Sequence, residues 1–123
     1  MFTLGFNGII TVNRGDSFSF PLYINCGTNL EPILYNIDSS VVVYFAVMEP
    51  NQPFEEALIK KRYTAADCDE NGNVIVKFRP KDTQCVLPGK YYYQVKVQRF
   101  NSDDPDDYEV DTVIDKTLFW ITE

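Results

Sequence analysis

Three short runs of this 123-residue chain hold side chains that could do chemistry. Asp67-Cys68-Asp69-Glu70-Asn71-Gly72 places oxygen ligands at alternate positions and a glycine at the sixth, like the first half of a calcium loop. The twelfth position, which should hold a bidentate glutamate, is Phe78, and Val74 to Phe78 alternates like a strand rather than an exiting helix. Asn71-Gly72 is also a two-residue hairpin signal, so the segment is expected as a hairpin turn, with a partial ion site as the competing reading. Asp103-Asp104-Pro105-Asp106-Asp107 gathers four carboxylates. A pair of carboxylates works as acid and base only at fixed separation in a desolvated cleft, whereas an acidic loop interrupted by proline is wet. It is expected as a solvated hairpin tip. Arg14-Gly15-Asp16 spells a cell-adhesion tripeptide, yet it lies between two short strands, where glycine and aspartate are good turn formers.

The remaining chemistry is thinner. The chain has no histidine, so a thiol or hydroxyl nucleophile would need lysine or a carboxylate as its base, in no motif that the sequence contains. Cys26, Cys68 and Cys85 are too scattered for a zinc site and are expected as reduced thiols. No glycine-rich phosphate loop is present. The expectation is a non-enzyme with no catalytic residue, no metal and no cofactor.

The elements that would position any site are strands. Fifteen per cent of the residues are aromatic, and the hydrophobic period is two nearly throughout. Phe18, Phe20, Leu22 and Ile24 share one face of a strand that Pro21 assigns to an edge or a bulge. Val41 to Met48 is apolar on both faces, as in a central strand with its second face covered. Ala57 to Tyr63 and Val74 to Phe78 follow, and Pro80 to Leu87 is expected to cross between sheets with a single helical turn. Lys90 to Gln98 alternates with Tyr91, Tyr93, Val95 and Val97 on one side. Tyr108 to Ile121 changes phase near Asp115-Lys116, which signals a bulge or tight turn. The pattern predicts an all-β fold, an immunoglobulin-like antiparallel β-sandwich of seven to eight strands, with residues 1–8 as an N-terminal arm and 9–123 as one domain.

A formal charge of −7 argues against nucleic acid and anionic membranes as partners. No secretory signal opens the sequence, and no apolar run approaches the roughly 20 residues of a membrane helix. What remains is protein contact. Tyr92 would point outward if Tyr91 and Tyr93 point in, and near the C-terminus either Phe119 with Ile121 or Leu118 with Trp120 must face away from the core. The candidate interface residues are Tyr92, Phe119 and Trp120, with Asp103, Asp104, Asp106 and Asp107 as an electrostatic rim.

The run Asp82-Thr83-Gln84-Cys85-Val86-Leu87-Pro88-Gly89-Lys90-Tyr91-Tyr92-Tyr93-Gln94-Val95 resembles the "DT…L-x-G-x-Y-Y-Y-x-V" signature of small phage virion domains. These include the N-terminal sandwich of tailed-phage baseplate upper proteins and fibre-anchoring modules. Arg14 to Phe18, Val41 to Val47 and Asp111 to Ile114 fit the same pattern, so the resemblance spans roughly residues 9 to 122. Leu87 and Tyr93 also resemble the pair that turns the corner in fibronectin-type sandwiches. Baseplate upper proteins usually continue into a helical or receptor-binding region, whereas this sequence stops at Glu123. The resemblance implies a virion structural protein of neck, tail, baseplate or fibre-attachment type, made in the bacterial host cytoplasm. It would bind other phage structural proteins, as a homo-oligomer or ring-bound in several copies. The alternative is a carbohydrate- or surface-binding sandwich module.

Overall fold

A computed structural model of the chain describes residues 3–4, 8–22, 37–70 and 72–123. In it the period-two pattern becomes β1 (Thr3–Leu4), β2 (Ile10–Asn13), β3 (Phe18–Leu22), β4 (Val41–Met48), β5 (Ile59–Tyr63), β6 (Val74–Phe78), β7 (Gly89–Phe100) and β8 (Tyr108–Thr122). A five-residue helix, α1 (Pro80–Gln84), precedes β7. The larger sheet has the order β1-β2-β8-β7-β4-β5, and β3 pairs with β6 in a second, two-stranded sheet. The fold is all-β. Thr3–Leu4, within the expected N-terminal arm, pairs with the edge of β2. Ile24, Cys26 and Asn71 lie outside the described residues.

The sheets are not wholly antiparallel, which corrects the sequence expectation. β2 runs parallel to β8, with Ile10 beside Phe119 and Val12 beside Ile121. This register sets four fully buried side chains together on the core face, and that burial outweighs the slightly weaker parallel ladder. Pro21 is satisfied as expected: β3 has a partner on one side only among the described strands.

The inner faces of both sheets contribute to one aromatic core. Phe45 on β4 stacks on Tyr93 (5.3 Å between centroids) and meets Phe20, Phe78 and Phe119 edge-on at 6.0, 5.9 and 6.5 Å. Val43, Val47, Val76 and Val95 fill the spaces between these rings. Edge-to-face and offset-stacked geometries add to simple area burial because ring edges and faces carry opposite partial charge.

β4 is interior to its sheet, and its second face is covered by the chain that follows it. Val42, Ala46 and Met48 are buried on that face, and the chain after β4 packs a short 3-10 turn, Phe54–Glu56, against β4. Three lysines from three strands fasten this strap. Lys96 of β7 lies 4.7 Å over the Phe54 ring, Lys116 of β8 donates to the Gln52 carbonyl, and Lys60 of β5 donates to the Glu55 carbonyl.

The Asn71-Gly72 signal corresponds to a turn but not to the expected hairpin. Gly72 has φ +82°, the left-handed region that suits glycine, and Asp69 and Asn73 close the turn around a lone bridge between Cys68 and Val74. β5 and β6 then pair in different sheets, because the alternating valines of β6 are buried against β3 and the shared core. Leu87 is also corrected: it is exposed, and it is Tyr91, not Tyr93, whose hydroxyl donates back to the Leu87 carbonyl. The Tyr93 hydroxyl donates to Gly8.

Arg14-Gly15-Asp16 forms a turn with Gly15 at φ +83°. The Gly15 N–H donates to the hydroxyl of Thr83 at 2.9 Å, and Thr83, on α1, is fully buried. Thr83→Val keeps the volume and removes the acceptor. It is expected to cost about 1–2 kcal/mol in urea unfolding, with Thr83→Ser losing much less.

Candidate interaction surface

β7 and β8 form a long hairpin with two irregularities. Tyr93 pairs with Thr117, Val95 with Ile114 and Lys96 with Thr112, so β8 holds two extra residues between Thr112 and Thr117. The phase change read near Asp115-Lys116 is therefore a double bulge. Because two extra residues preserve parity, odd positions face the core side on both halves of β8. Phe119 and Ile121 are fully buried, whereas Leu118 is half-buried and Trp120 is 41% exposed.

This arrangement removes Phe119 from the candidate contact set, because its ring belongs to the chain's own core. Trp120 stays on the surface with the Lys90 ammonium 5.3 Å over its ring. Tyr92, half-buried on the outer face, stands opposite Leu118 in the next register pair. Lys90, Tyr92, Leu118 and Trp120 thus form one mixed patch at the strand-start end of the hairpin.

Asp103, Asp104, Asp106 and Asp107 lie at the other end, all exposed. The tip is built from local bonds: the Asp107 N–H donates to the Asp104 carbonyl (3.0 Å), and the Asp106 N–H to the Asp104 carboxylate (3.0 Å). From Lys90 to Phe100 is ten residues of strand, or about 33 Å. The acidic tip is therefore not a rim around Trp120. The two groups form separate surfaces at opposite ends of one ribbon.

Between them lies a feature that motif reading missed. Every residue from Asn101 to Thr112 is exposed, so the hairpin projects beyond the core. β2 pairs with β8 only from Phe119 to Thr122, and from Tyr108 to Leu118 no described strand lies on the outer edge of β8. On the outer face of this part, Tyr108 and Val110 adjoin Tyr44, Phe54, Lys96 and Gln98 around a shallow groove of about 240 Å³. The Tyr44 hydroxyl donates to Gln98 Oε1 at 3.0 Å, and the Phe100 and Tyr108 rings meet edge-on. Only the even spacing of Tyr108 and Val110 signalled this face, and it could not name the neighbours.

The remaining candidates are occupied by structure. The Asp67 carboxylate accepts the Thr64 N–H and that of Asp69 accepts the Asn73 N–H. No group of three metal-ligating side chains converges among the described residues. Burial, with Asp69 and Asp67 nearby, pushes the Cys68 thiol up, toward the unreactive protonated form. Burial likewise raises Tyr63, Tyr91 and Tyr93, whose hydroxyls serve as structural hydrogen-bonding groups. No helix among the described residues is long and apolar enough to cross a membrane. No family model matches the chain, and no curated protein or solved structure is significantly similar to it.

Proposed function

We propose that this chain is a non-enzymatic virion structural protein of a tailed phage, an immunoglobulin-like sandwich that connects neck, tail, baseplate or fibre components by protein–protein contact. The observation that carries the contact part is the projecting β7–β8 hairpin, with its long edge and its outward aromatics. Rows of unpaired backbone groups are templates for strand addition, and an aromatic patch rimmed by charge is typical of protein interfaces. The virion part rests on the resemblance carried by Asp82 to Val95.

Two features support the immunoglobulin-like part. The order β8-β7-β4-β5 in one sheet and the β3-β6 pair in the other are compatible with strands G, F, C and C′ facing B and E. Tyr91 near the start of β7 bonds back to Leu87 as a tyrosine corner does. Where antibody domains place a disulfide against a tryptophan, this chain has the rings of Phe20, Phe45 and Tyr93. The test is co-sedimentation. Tagged chain is expected to pellet with purified particles lacking it, and Trp120→Asp or Tyr108→Asp to weaken that binding at least tenfold; failure to associate with particles contradicts the proposal.

The groove between Tyr44, Phe54 and Tyr108 favours a second reading, a carbohydrate- or surface-binding module. Flat rings beside an amide and a lysine suit a sugar face and its hydroxyls. Glycan-array binding lost in Tyr108→Ala would select this reading over the connector.

A further inference from the structure

We propose that the groove between Tyr44, Phe54 and Tyr108 binds an uncharged saccharide, one pyranose ring of which sits against its aromatic walls. The inference rests on the carbohydrate reading of this groove, which it narrows to a neutral ligand, and it stands apart from the virion reading.

The register of the larger sheet builds the groove. Even-numbered residues of β7 point to the outer face, where Lys96 stands between Tyr44 and Thr112, Gln98 beside Val110, and Phe100 beside Tyr108. Val110 and Tyr108 line the groove from β8, and Phe54 and Glu55 line it from the 3-10 turn after β4. Tyr108 is 46% exposed and Val110 51%, so both offer apolar surface that the chain's own core does not use.

The polar groups are set for a ligand bearing hydroxyls. The Tyr44 hydroxyl donates to Gln98 Oε1 at 3.0 Å, which orients the amide and leaves its Nε2 a donor without a partner among the described residues. The Lys96 ammonium lies 4.7 Å over the Phe54 ring. Neither Lys96 nor the Glu55 carboxylate has an ion-pair partner among the described residues. Donors and an acceptor thus flank a set of rings. A sugar hydroxyl both donates and accepts, and the C–H face of a pyranose packs on an aromatic ring.

Charge narrows the class. Lys96 and Glu55 are the two charged residues that line the groove, and they cancel. An anion drawn by Lys96 would also meet Glu55, on a chain whose formal charge is already −7. The neighbouring grooves lack this balance. One of about 550 Å³, between Ser39 and Pro105, has the single ring of Phe100 and an uncompensated Asp103. Another, along Glu49 to Glu56, has two carboxylates and no ring. At about 240 Å³ the Tyr44–Tyr108 groove falls below the roughly 300–1,000 Å³ of drug-sized sites, which suits a single ring.

The test is an NMR titration of the isotope-labelled whole chain with methyl glucoside, galactoside and mannoside, each beside its uronic acid, at up to tens of millimolar. At least one neutral glycoside is expected to bind with a Kd on the order of 1 mM, the range open to a ligand of so few atoms. The shift changes are expected to centre on Tyr44, Lys96, Gln98, Tyr108 and Val110. Tyr108→Ala should weaken binding about tenfold or more, whereas Trp120→Ala, in the patch at the other end of the hairpin, should leave it unchanged. The neutral sugar should bind several-fold more tightly than its uronic acid. Glu55→Gln removes the opposing carboxylate, keeps Lys96, and should narrow or reverse that difference.

No binding by any of the sugars overturns this inference together with the carbohydrate reading, and leaves the connector reading standing. Tighter binding of a uronic acid by the wild type overturns the inference and keeps the carbohydrate reading. An undiminished difference in Glu55→Gln, binding that survives Tyr108→Ala, or shift changes centred on Trp120 do the same.

Discussion

Phe45→Ala is expected to cost about 4 kcal/mol of folding free energy, the largest loss from any single truncation in this chain. Phe45 has no exposed surface, and its ring touches Tyr93, Phe119, Phe20 and Phe78, which come from four other strands in both sheets. Removing it forfeits the transfer of the ring from water and leaves a cavity walled by β-branched residues and large rings that cannot collapse into it. The measurement is the guanidinium unfolding midpoint, with Phe45→Leu expected to lose less than half as much. Tyr108→Ala, on the exposed hairpin, is expected to change stability by no more than about 0.5 kcal/mol. A loss below about 1 kcal/mol in Phe45→Ala would mean that the two sheets do not share this core.

Asp82→Asn is expected to cost about 2–3 kcal/mol at neutral pH. One carboxylate oxygen of Asp82 accepts from the Lys61 ammonium at 2.7 Å and from the Arg79 N–H at 2.7 Å, tying the β5 edge to the first turn of α1. Both partners of the ion pair are mostly shielded, with side chains 15% and 13% exposed, so solvent screens the pair less than a surface bridge. Burial alone would raise the Asp82 carboxyl, but the bonds from Lys61 and Arg79 outweigh it and hold the group below its usual value. A carboxylate lowered in the folded state contributes its stability above the unfolded-state value, near pH 4, and loses it as pH falls through the folded-state value. Wild-type stability should therefore fall with acidification below about pH 4, and the variant should lack that component of the fall. Equal pH dependence in the two proteins would contradict the pairing.

The sequence was most legible where one strand's own alternation decides its burial. Val74, Val76 and Phe78, and Tyr91, Tyr93, Val95 and Val97, face inward as their spacing requires. The β8 irregularity was visible because the apolar positions are even from Tyr108 to Ile114 and odd from Thr117 to Ile121. The acidic tip was legible too, since composition alone keeps Asp103 to Asp107 in water.

What was not legible depends on distant neighbours. Phe119-Trp120 satisfies alternation in either phase, and only the rings of Phe45 and Phe78 across the core choose Phe119 as the inward one. Asn71-Gly72 announces a turn, but the burial of β6 against β3 decides which strands it separates. The parallel β2–β8 pair joins residues about a hundred positions apart, which no local pattern reports. The lysine-held strap was equally hidden, because lysine spacing does not say which carbonyl or ring each ammonium will reach.

The central claim is that this chain works by occupying a fixed place among other proteins, and quantitative mass spectrometry of purified particles tests it most directly. The account predicts the chain in every particle at a constant copy number that is a multiple of three, six or twelve. Its absence from purified particles, with the chain recovered only in the soluble lysate, would contradict the account.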